Sequence, residues 1–234
     1  MEIMEIKNIS GKVIKTVEGS SLVGVDLRDA CLSVADLYGA DLTGANLWRA
    51  NLRNADLRGA VLSGVNLLGV NLRGADLRDA DLHGADLRDA DLSWAFLLGV
   101  TLTGACLAGS SLRGANLSGA DLHGADLGDV VLRDANLSGA CFVDANLRGA
   151  DLLGADFSGA VLRGTGVTKE DLQGWAAVFD RNTAFDADPT VVVPISSCPQ
   201  CGQTIPDKEA LRASGLGKLD LSILTTAERN ALGL

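Results

Sequence analysis

A large apolar residue recurs at every fifth position over more than half of the chain. The series runs from Leu22 to Leu162 and has 29 positions, all leucine except Phe142 and Phe157. We call this position the centre of each repeat. Alanine lies two residues before 22 of the centres, and glycine lies two residues after 19 of them. The repeat is therefore Ala-(Asp/Asn)-Leu-x-Gly, and it constrains the fold more than any other feature.

A period of five excludes both simple regular structures. An α-helix turns by about 100° per residue, so the centres would wind around all sides of it. A continuous strand would alternate successive centres between its two faces. What remains is a short extended piece followed by a turn, where glycine allows the positive φ that a side chain opposes. Such short pieces are stable only when they pair with neighbouring coils, which predicts a β-solenoid.

The repeats resemble those of the pentapeptide-repeat proteins, as in ADLRD at 75–79 and ANLSG at 115–119. The resemblance covers residues 20–164 and implies an all-β fold, a right-handed quadrilateral β-helix with four repeats in each coil. We therefore expect a solenoid at 20–166 with about seven coils and a length of about 35 Å. Because no loop interrupts the repeats, we expect one straight rod.

A coil of twenty residues gives the rod four faces, which we name by their first centres, Leu22, Leu27, Leu32 and Leu37. Their net charges are −3, −2, +1 and −3, and the whole chain carries −10. This charge argues against direct binding of nucleic acid or of an anionic membrane surface. No apolar run approaches the length of about 20 residues that a membrane span needs.

The resemblance also raises the possibility of DNA mimicry. Family members that confer quinolone resistance are similar to duplex DNA in size and charge and occupy the DNA site of gyrase. A duplex about 35 Å long carries about 20 negative charges, whereas the four faces together carry −7. Binding to DNA gyrase or another topoisomerase, with protection from quinolones or toxins, is therefore the alternative function.

Apolar residues at outward positions and the non-repetitive tail indicate the preferred function. We expect a structural or protein-binding solenoid that acts through its outer surface and its C-terminal tail and that associates with itself or joins a larger assembly. Trp48 and Leu68 are twenty residues apart and should stack in one column, while Trp94, Phe96 and Leu98 should cluster at one corner. Clustered exposed apolar side chains, aromatic ones above all, are typical of contact surfaces. The occupant is a protein partner, a second copy of the chain, or the chain's own C-terminal tail folded back over the patch.

The N-terminal segment 1–19 is predicted to be a β cap. Its residues 2–18 indicate two short strands around a turn at 8–11, which would cover the first coil and its unpaired edge. This leader resembles the openings of pentapeptide-repeat proteins carried in phage genomes. A phage particle is therefore one assembly to which the chain would belong.

The segment 167–181 is predicted to be a capping helix. Thr168 and Asp171 form a variant of the capping box, and Trp175 and Phe179 would lie on one face of a helix at 169–179. We expect this face to seal the last coil or to contact a partner, since the corresponding end of related proteins often mediates dimerisation.

The tail, residues 182–234, contains the sequence CPQCG, which looks like one knuckle of a zinc ribbon. Zinc needs four ligands, so Cys198 and Cys201 would need a second pair, for example from another subunit. An inert turn and a redox pair are the other interpretations. The remaining cysteines precede centres on three different faces and should not converge: Cys31, Cys106 and Cys141.

No residue pattern indicates an active site, because the interior is alanine and leucine and the outward aspartates are repetitive. We therefore expect a non-enzymatic protein without a cofactor, zinc at the knuckle excepted. Five scattered cysteines do not form a disulfide framework, and the first residues lack the apolar stretch of a secretory signal. The expected location is the cytoplasm, or a virion if the chain is phage-encoded.

Overall fold

The computed structural model describes residues 2–186, and over most of them the chain is a β-solenoid. The bridges between residues 26 and 161 are parallel, and all of them join residues twenty apart. In one such rung, the N–H of Leu27 donates to the carbonyl oxygen of Asn46 at 2.8 Å, and the N–H of Asn46 donates to that of Val25 at 2.9 Å. Four repeats therefore make one coil.

Each repeat turns through the same backbone bond, exemplified by the N–H of Ala30 donating to the carbonyl oxygen of Leu27 at 3.1 Å. The residue two after the centre has a φ between 53° and 75° in all 29 repeats. Positive φ at the third residue of a four-residue turn is the requirement of a type II turn. Glycine at this position is thus explained, and ten other residues adopt the same conformation, among them six aspartates.

The interior is filled by the centres, as the sequence predicted. All 29 are buried, and the most exposed of them, Leu147, has 6% of its surface accessible. Most of the alanines two residues earlier are buried beside them. Phe142 and Phe157 lie on adjacent faces with ring centroids 5.7 Å apart.

Two strands precede the coils, β1 (Ile3–Asn8) and β2 (Val13–Glu18), and they pair antiparallel. On its other side, β1 pairs antiparallel with β3 (Ala35–Asp36), which belongs to the first coils. Ile6 and Val17 are buried in the same core cluster as the centres. The hairpin therefore continues the apolar interior at this end.

The helix α1 (Lys169–Gly174) begins where the sequence predicted. The Thr168 hydroxyl accepts from the N–H of Asp171 at 3.2 Å, and the Asp171 carboxylate accepts from the N–H of Thr168 at 2.9 Å. The bond from the Thr168 backbone lowers the pKa of Asp171 below its usual value. Leu172, in the middle of this helix, is fully buried.

The predicted extent of the helix, 169–179, is wrong, because α1 ends at Gly174. Glycine is a poor helix former, and Ala176 adopts a left-handed φ of 50°. The N–H of Val178 then donates to the carbonyl oxygen of Ala155 at 2.8 Å, a bond outside any helix.

Residues 177–186 return to the ladder as two irregular repeats. Val178 bridges Asp156, and Ala184 bridges Val161, both in parallel. Phe179 and Phe185, which follow them, stand at the position of a repeat centre. Their rings meet edge-on, with centroids 6.1 Å apart.

Two carboxylates end the ladder on these faces. In earlier coils, an N–H such as that of Gly139 donates to a backbone carbonyl oxygen, here Ser158 at 2.9 Å. The corresponding N–H of Gly159 donates instead to the Asp180 carboxylate at 2.9 Å, and that of Gly164 donates to Asp186 at 2.8 Å. Burial raises the pKa of Asp180, but its hydrogen bonds from Gly159 and Asn182 outweigh burial and lower it.

The CPQCG knuckle with Cys198 and Cys201 lies outside the described residues, as does most of the predicted tail at 182–234. Among residues 2–186, no helix has the length and hydropathy that crossing a membrane requires.

Candidate protein-interaction surface

Three of the predicted contact residues lie on one short segment that passes from the Leu32 face onto the Leu37 face. We call Trp94, Phe96 and Leu98 the apolar corner. Trp94 and Phe96 each have 51% of their surface exposed, and Leu98 has 44%. The three alternate with the buried Ala95 and Leu97, so the same short segment fills the core and presents an apolar surface.

Trp94 stands at the position where most repeats have glycine, and its φ is 62°. A bulky side chain is rarely found in this left-handed region, which costs about 1–2 kcal/mol. The ring lies against Gly114, one coil further on, where a Cβ atom would overlap it. The absence of a side chain at Gly114 therefore makes room for the ring.

Charged residues precede the apolar corner on the Leu37 face. Arg58 donates two hydrogen bonds to the Asp56 carboxylate at 2.8 and 2.6 Å, and Arg78 pairs with Asp76 in the same way. Tyr38 is exposed, and the Arg58 guanidinium lies 5.2 Å from the centre of its ring. The bonds from Arg58 lower the pKa of Asp56, although burial opposes them.

The same pairing neutralises acidic charge elsewhere. Asp26 with Arg28 and Asp86 with Arg88 form further Asp-Leu-Arg pairs on the Leu27 face. An arginine two residues after an aspartate lies on the same side of the extended piece, so the pair forms locally. Four of the 18 aspartates in the repeats are therefore paired with an arginine of their own repeat.

The other predicted contact residues are less exposed. Trp48 and Leu68 lie one coil apart and are half-buried, and Arg49 lies 5.2 Å from the centre of the Trp48 ring. Trp175 and Phe179 are also partly buried and pack against the core. Neither pair extends the apolar corner.

Chemistry-bearing side chains are dispersed on this surface. His83 Nδ1 lies 2.7 Å from the Thr103 hydroxyl, and His123 lies two coils from His83 in the same column. Within residues 2–186, no group of three or more His, Cys, Asp or Glu side chains is arranged to hold a metal ion.

A family model described as pentapeptide repeats matches this chain in eight copies, over residues 20–59, 55–93, 97–134 and 131–165. The chain belongs to the pentapeptide-repeat family. Proteins of this family are generally structural or interaction proteins. The matched ranges leave out residues 94–96, which contain two members of the apolar corner.

Solved structures of the family include several that are similar to this chain. HetL, a pentapeptide-repeat protein involved in heterocyst differentiation regulation in the cyanobacterium Nostoc sp. strain PCC 7120, is 34% identical, with 78% of this chain and 77% of HetL covered and a TM-score of 0.37. Rfr23 from the cyanobacterium Cyanothece 51142 is 26% identical, with 58% and 91% covered and a TM-score of 0.45.

A trypsin-treated form of QnrB1, a plasmid-mediated fluoroquinolone resistance protein, is 22% identical, with 74% of this chain and 93% of that chain covered and a TM-score of 0.46. A search of curated proteins gave no match. Membership of the pentapeptide-repeat family rests on the repeat match, which extends over well more than half of the chain.

Sequence reasoning missed two features of the surface. The Asp-Leu-Arg spacing was visible in the sequence and indicates paired charge. The position of Trp94 in the glycine column of the repeat is the sequence signal for its left-handed φ.

Proposed function

We propose that this pentapeptide-repeat protein is a non-enzymatic protein-binding module that acts through the apolar corner. The observation that carries the proposal is Trp94, a half-exposed tryptophan in a left-handed conformation beside the exposed Phe96 and Leu98. Backbone strain that supports an exposed aromatic residue is typical of functional surfaces. Exposed aromatic clusters also supply much of the binding energy of protein interfaces.

The rod itself is proposed to be a rigid carrier for this surface. We propose a right-handed quadrilateral rod of about seven coils and a length of about 35 Å, which the twenty-residue period and the family resemblance support. The N-terminal hairpin, and α1 with Asp180 and Asp186, would close its two ends against edge pairing. Because its ends would not pair with further copies, such a rod could join a larger assembly through its side surface without forming fibres. The proposed assembly is located in the cytoplasm or is a phage particle.

A photo-crosslinking amino acid tests the proposal. Phe96 is replaced by p-benzoylphenylalanine, and Asn136, in the same column two coils away, receives the same residue as the matched control. In cells of the native host, a discrete crosslinked product is expected from position 96 and not from position 136. Equal products from both positions, or none from position 96, would refute the proposal.

Self-association is a separate outcome. Light scattering of the purified full chain measures its mass in solution. A dimer that dissociates when Phe96 is changed to serine assigns the corner to a second copy. A monomer leaves a different protein or the chain's own C-terminal tail as the occupant of the corner.

The alternative, DNA mimicry directed at gyrase, is favoured by one observation. On the Leu22 face, four carboxylates are opposed by one arginine: Asp41, Asp81, Asp121 and Asp144 against Arg163. The Asp-Leu-Arg pairs of the Leu27 and Leu37 faces oppose it, because they reduce the charge that would imitate phosphates. A supercoiling assay with gyrase, with and without a fluoroquinolone, decides the matter: no effect at micromolar protein eliminates mimicry.

A further inference from the structure

The Leu32 face is the one face of the repeats whose net charge is positive, at +1. Its charge comes from a single column of side chains, one residue after the centres, which we call the arginine column: Arg53, Arg73, Arg113 and Arg133. All four are exposed. An acidic chain thus has one basic strip along its surface.

Two members of the arginine column have no carboxylate partner. Asn51 and Asn71 stand two residues before Arg53 and Arg73, at the position that aspartate occupies in the Asp-Leu-Arg pairs, and an amide cannot form an ion pair. Among the ion pairs within 4 Å in residues 2–186, none involves Arg53 or Arg73.

The other two members of the column are paired to different degrees. Arg113 lies 3.8 Å from the Asp134 carboxylate, a distance beyond a hydrogen bond. Arg133 is engaged by Asp151. Available positive charge is therefore concentrated on the first half of the column.

The arginine column runs beside the apolar corner. Ser93 takes the column position between Arg73 and Arg113, and it is buried, with its hydroxyl 2.9 Å from that of Ser111. Trp94 is the next residue, so the tryptophan lies level with the gap in the column. At about 4.8 Å per coil, the column spans about 19 Å, the length of about six extended residues.

We propose that the arginine column and the apolar corner form one docking surface for an acidic segment of a partner protein, with a large apolar side chain in the middle of the segment. This inference rests on the proposed protein-binding function and names the chemistry of the partner. Guanidinium groups bind carboxylates through paired hydrogen bonds. The apolar corner receives the central side chain, and the two free arginines receive carboxylates on one side of it.

Nucleic acid fits this surface less well. A duplex of about 19 Å carries about 11 negative charges, which exceeds the four arginines of the column. The other faces are acidic, at −3, −2 and −3, and repel a polyanion that extends around the rod. A short acidic peptide touches only the basic strip, and the opposite faces are screened beyond about 8 Å at physiological salt.

Fluorescence anisotropy with the full chain tests the inference. The probe is a fluorescein-labelled peptide with a central Phe-Leu pair flanked on both sides by glutamates. We expect binding that weakens about tenfold in the Arg53→Ala/Arg73→Ala variant and that weakens as salt is raised. The matched control, Arg28→Ala/Arg88→Ala, removes two arginines paired on the Leu27 face and should leave binding unchanged. Circular dichroism verifies that each variant is folded.

Three results overturn the inference: no binding of the peptide, equal binding of a peptide with lysines in place of the glutamates, or tighter binding of a labelled oligothymidylate. Its failure is distinguishable from failure of the proposed function. If Phe96→Ser abolishes binding and the Arg53/Arg73 variant does not weaken it, the apolar corner remains a binding site and only the acidic partner is wrong. If position 96 also gives no crosslink in cells, the proposed function fails as well.

Discussion

The Leu37 face contains two stretches that share one backbone and differ in their surface. The N–H of Leu97 donates to the carbonyl oxygen of Asn116 at 2.7 Å, and the N–H of Leu117 donates to that of Asn136 at the same distance. The first stretch carries Phe96 and Leu98 of the apolar corner, whereas the second carries asparagine and serine at the same positions. The turns also agree, with φ of 66° at Gly99 and 65° at Gly119. The coil therefore tolerates very different residues on its outside.

The polar stretch supports its own turns, which the apolar corner does not. The Asn116 and Asn136 side chains accept hydrogen bonds from the backbone N–H of Ser118 and Ser138 at 3.1 and 3.0 Å. Phe96 offers no such acceptor, and Trp94 takes up backbone strain. The apolar corner thus lacks the turn hydrogen bond of the polar stretch and adds backbone strain. Residues that cost stability in this way support a role in binding rather than in folding.

The largest expected effect contrasts two neighbouring leucines. Leu97→Ala leaves a cavity in the core and should destabilise the protein by about 2–5 kcal/mol. Leu98→Ala, at the surface of the apolar corner, should change stability by less than about 0.5 kcal/mol. Chemical denaturation of both variants measures the difference. Similar losses in both would show that the inside and outside of the coil are not energetically distinct.

A glycine pair tests the support beneath Trp94. Gly84→Ala and Gly114→Ala both place a side chain at positive φ, which costs about 1–2 kcal/mol. Gly84 has open space around it, whereas a Cβ atom at Gly114 would meet the Trp94 ring. We therefore expect a larger loss of stability for Gly114→Ala, together with a change in tryptophan fluorescence that Gly84→Ala lacks. Identical behaviour of the two variants would argue against the contact.

The carboxylates that end the ladder should have a smaller effect. Asp180→Ala removes the acceptor for the N–H of Gly159 and should cost about 1 kcal/mol, as loss of a capping residue does. Thermal unfolding measures this loss. Arg181→Ala, an exposed neighbour whose side chain forms no ion pair among residues 2–186, is the control. A loss in the control as large as in Asp180→Ala would remove the capping interpretation.

Acid should slightly lower the stability that the Asp–Arg pairs of the Leu37 face contribute, whereas the apolar corner has no titratable group to protonate. Hydrogen bonds from Arg58 and Arg78 lower the pKa of Asp56 and Asp76. A lowered carboxyl pKa gives stability that is present above the unfolded value, 3.8, and lost as pH falls through the folded value.

Urea midpoints measured between neutral pH and about pH 2.5 follow this loss. They should remain level down to about pH 4 and fall below it. Asp56→Asn/Asp76→Asn should show a shallower fall. A fall that is equally steep in this variant would assign the acid sensitivity to other carboxylates.

The β-solenoid was predictable because the five-residue period excludes both a helix and a continuous strand, and all the centres from Leu22 to Leu162 are buried. The four repeats in each coil were expected from the family resemblance and not from the period. The extent of the C-terminal helix was not. Phe179 fits helical spacing equally well, and the backbone bonds that Val178 forms with Ala155 and Phe157 place this segment on the ladder. The apolar corner was predictable from the column positions of its residues. The sequence shows asparagine two residues before Arg53 and Arg73, but it took the Asp–Arg pairs of the structure to show that aspartate at this spacing binds the arginine.

The most direct test of the account converts the apolar corner into its polar counterpart. The variant Trp94→Gly/Phe96→Asn/Leu98→Ser copies the residues found one coil later at Gly114, Asn116 and Ser118. Glycine at position 94 removes the strain of a tryptophan at positive φ, and asparagine at position 96 provides a side-chain acceptor for the backbone N–H of residue 98. The account predicts an unfolding temperature equal to or a few degrees above that of the native chain. A temperature lower by more than about 5 °C would mean that these side chains serve the fold, and would contradict a binding role.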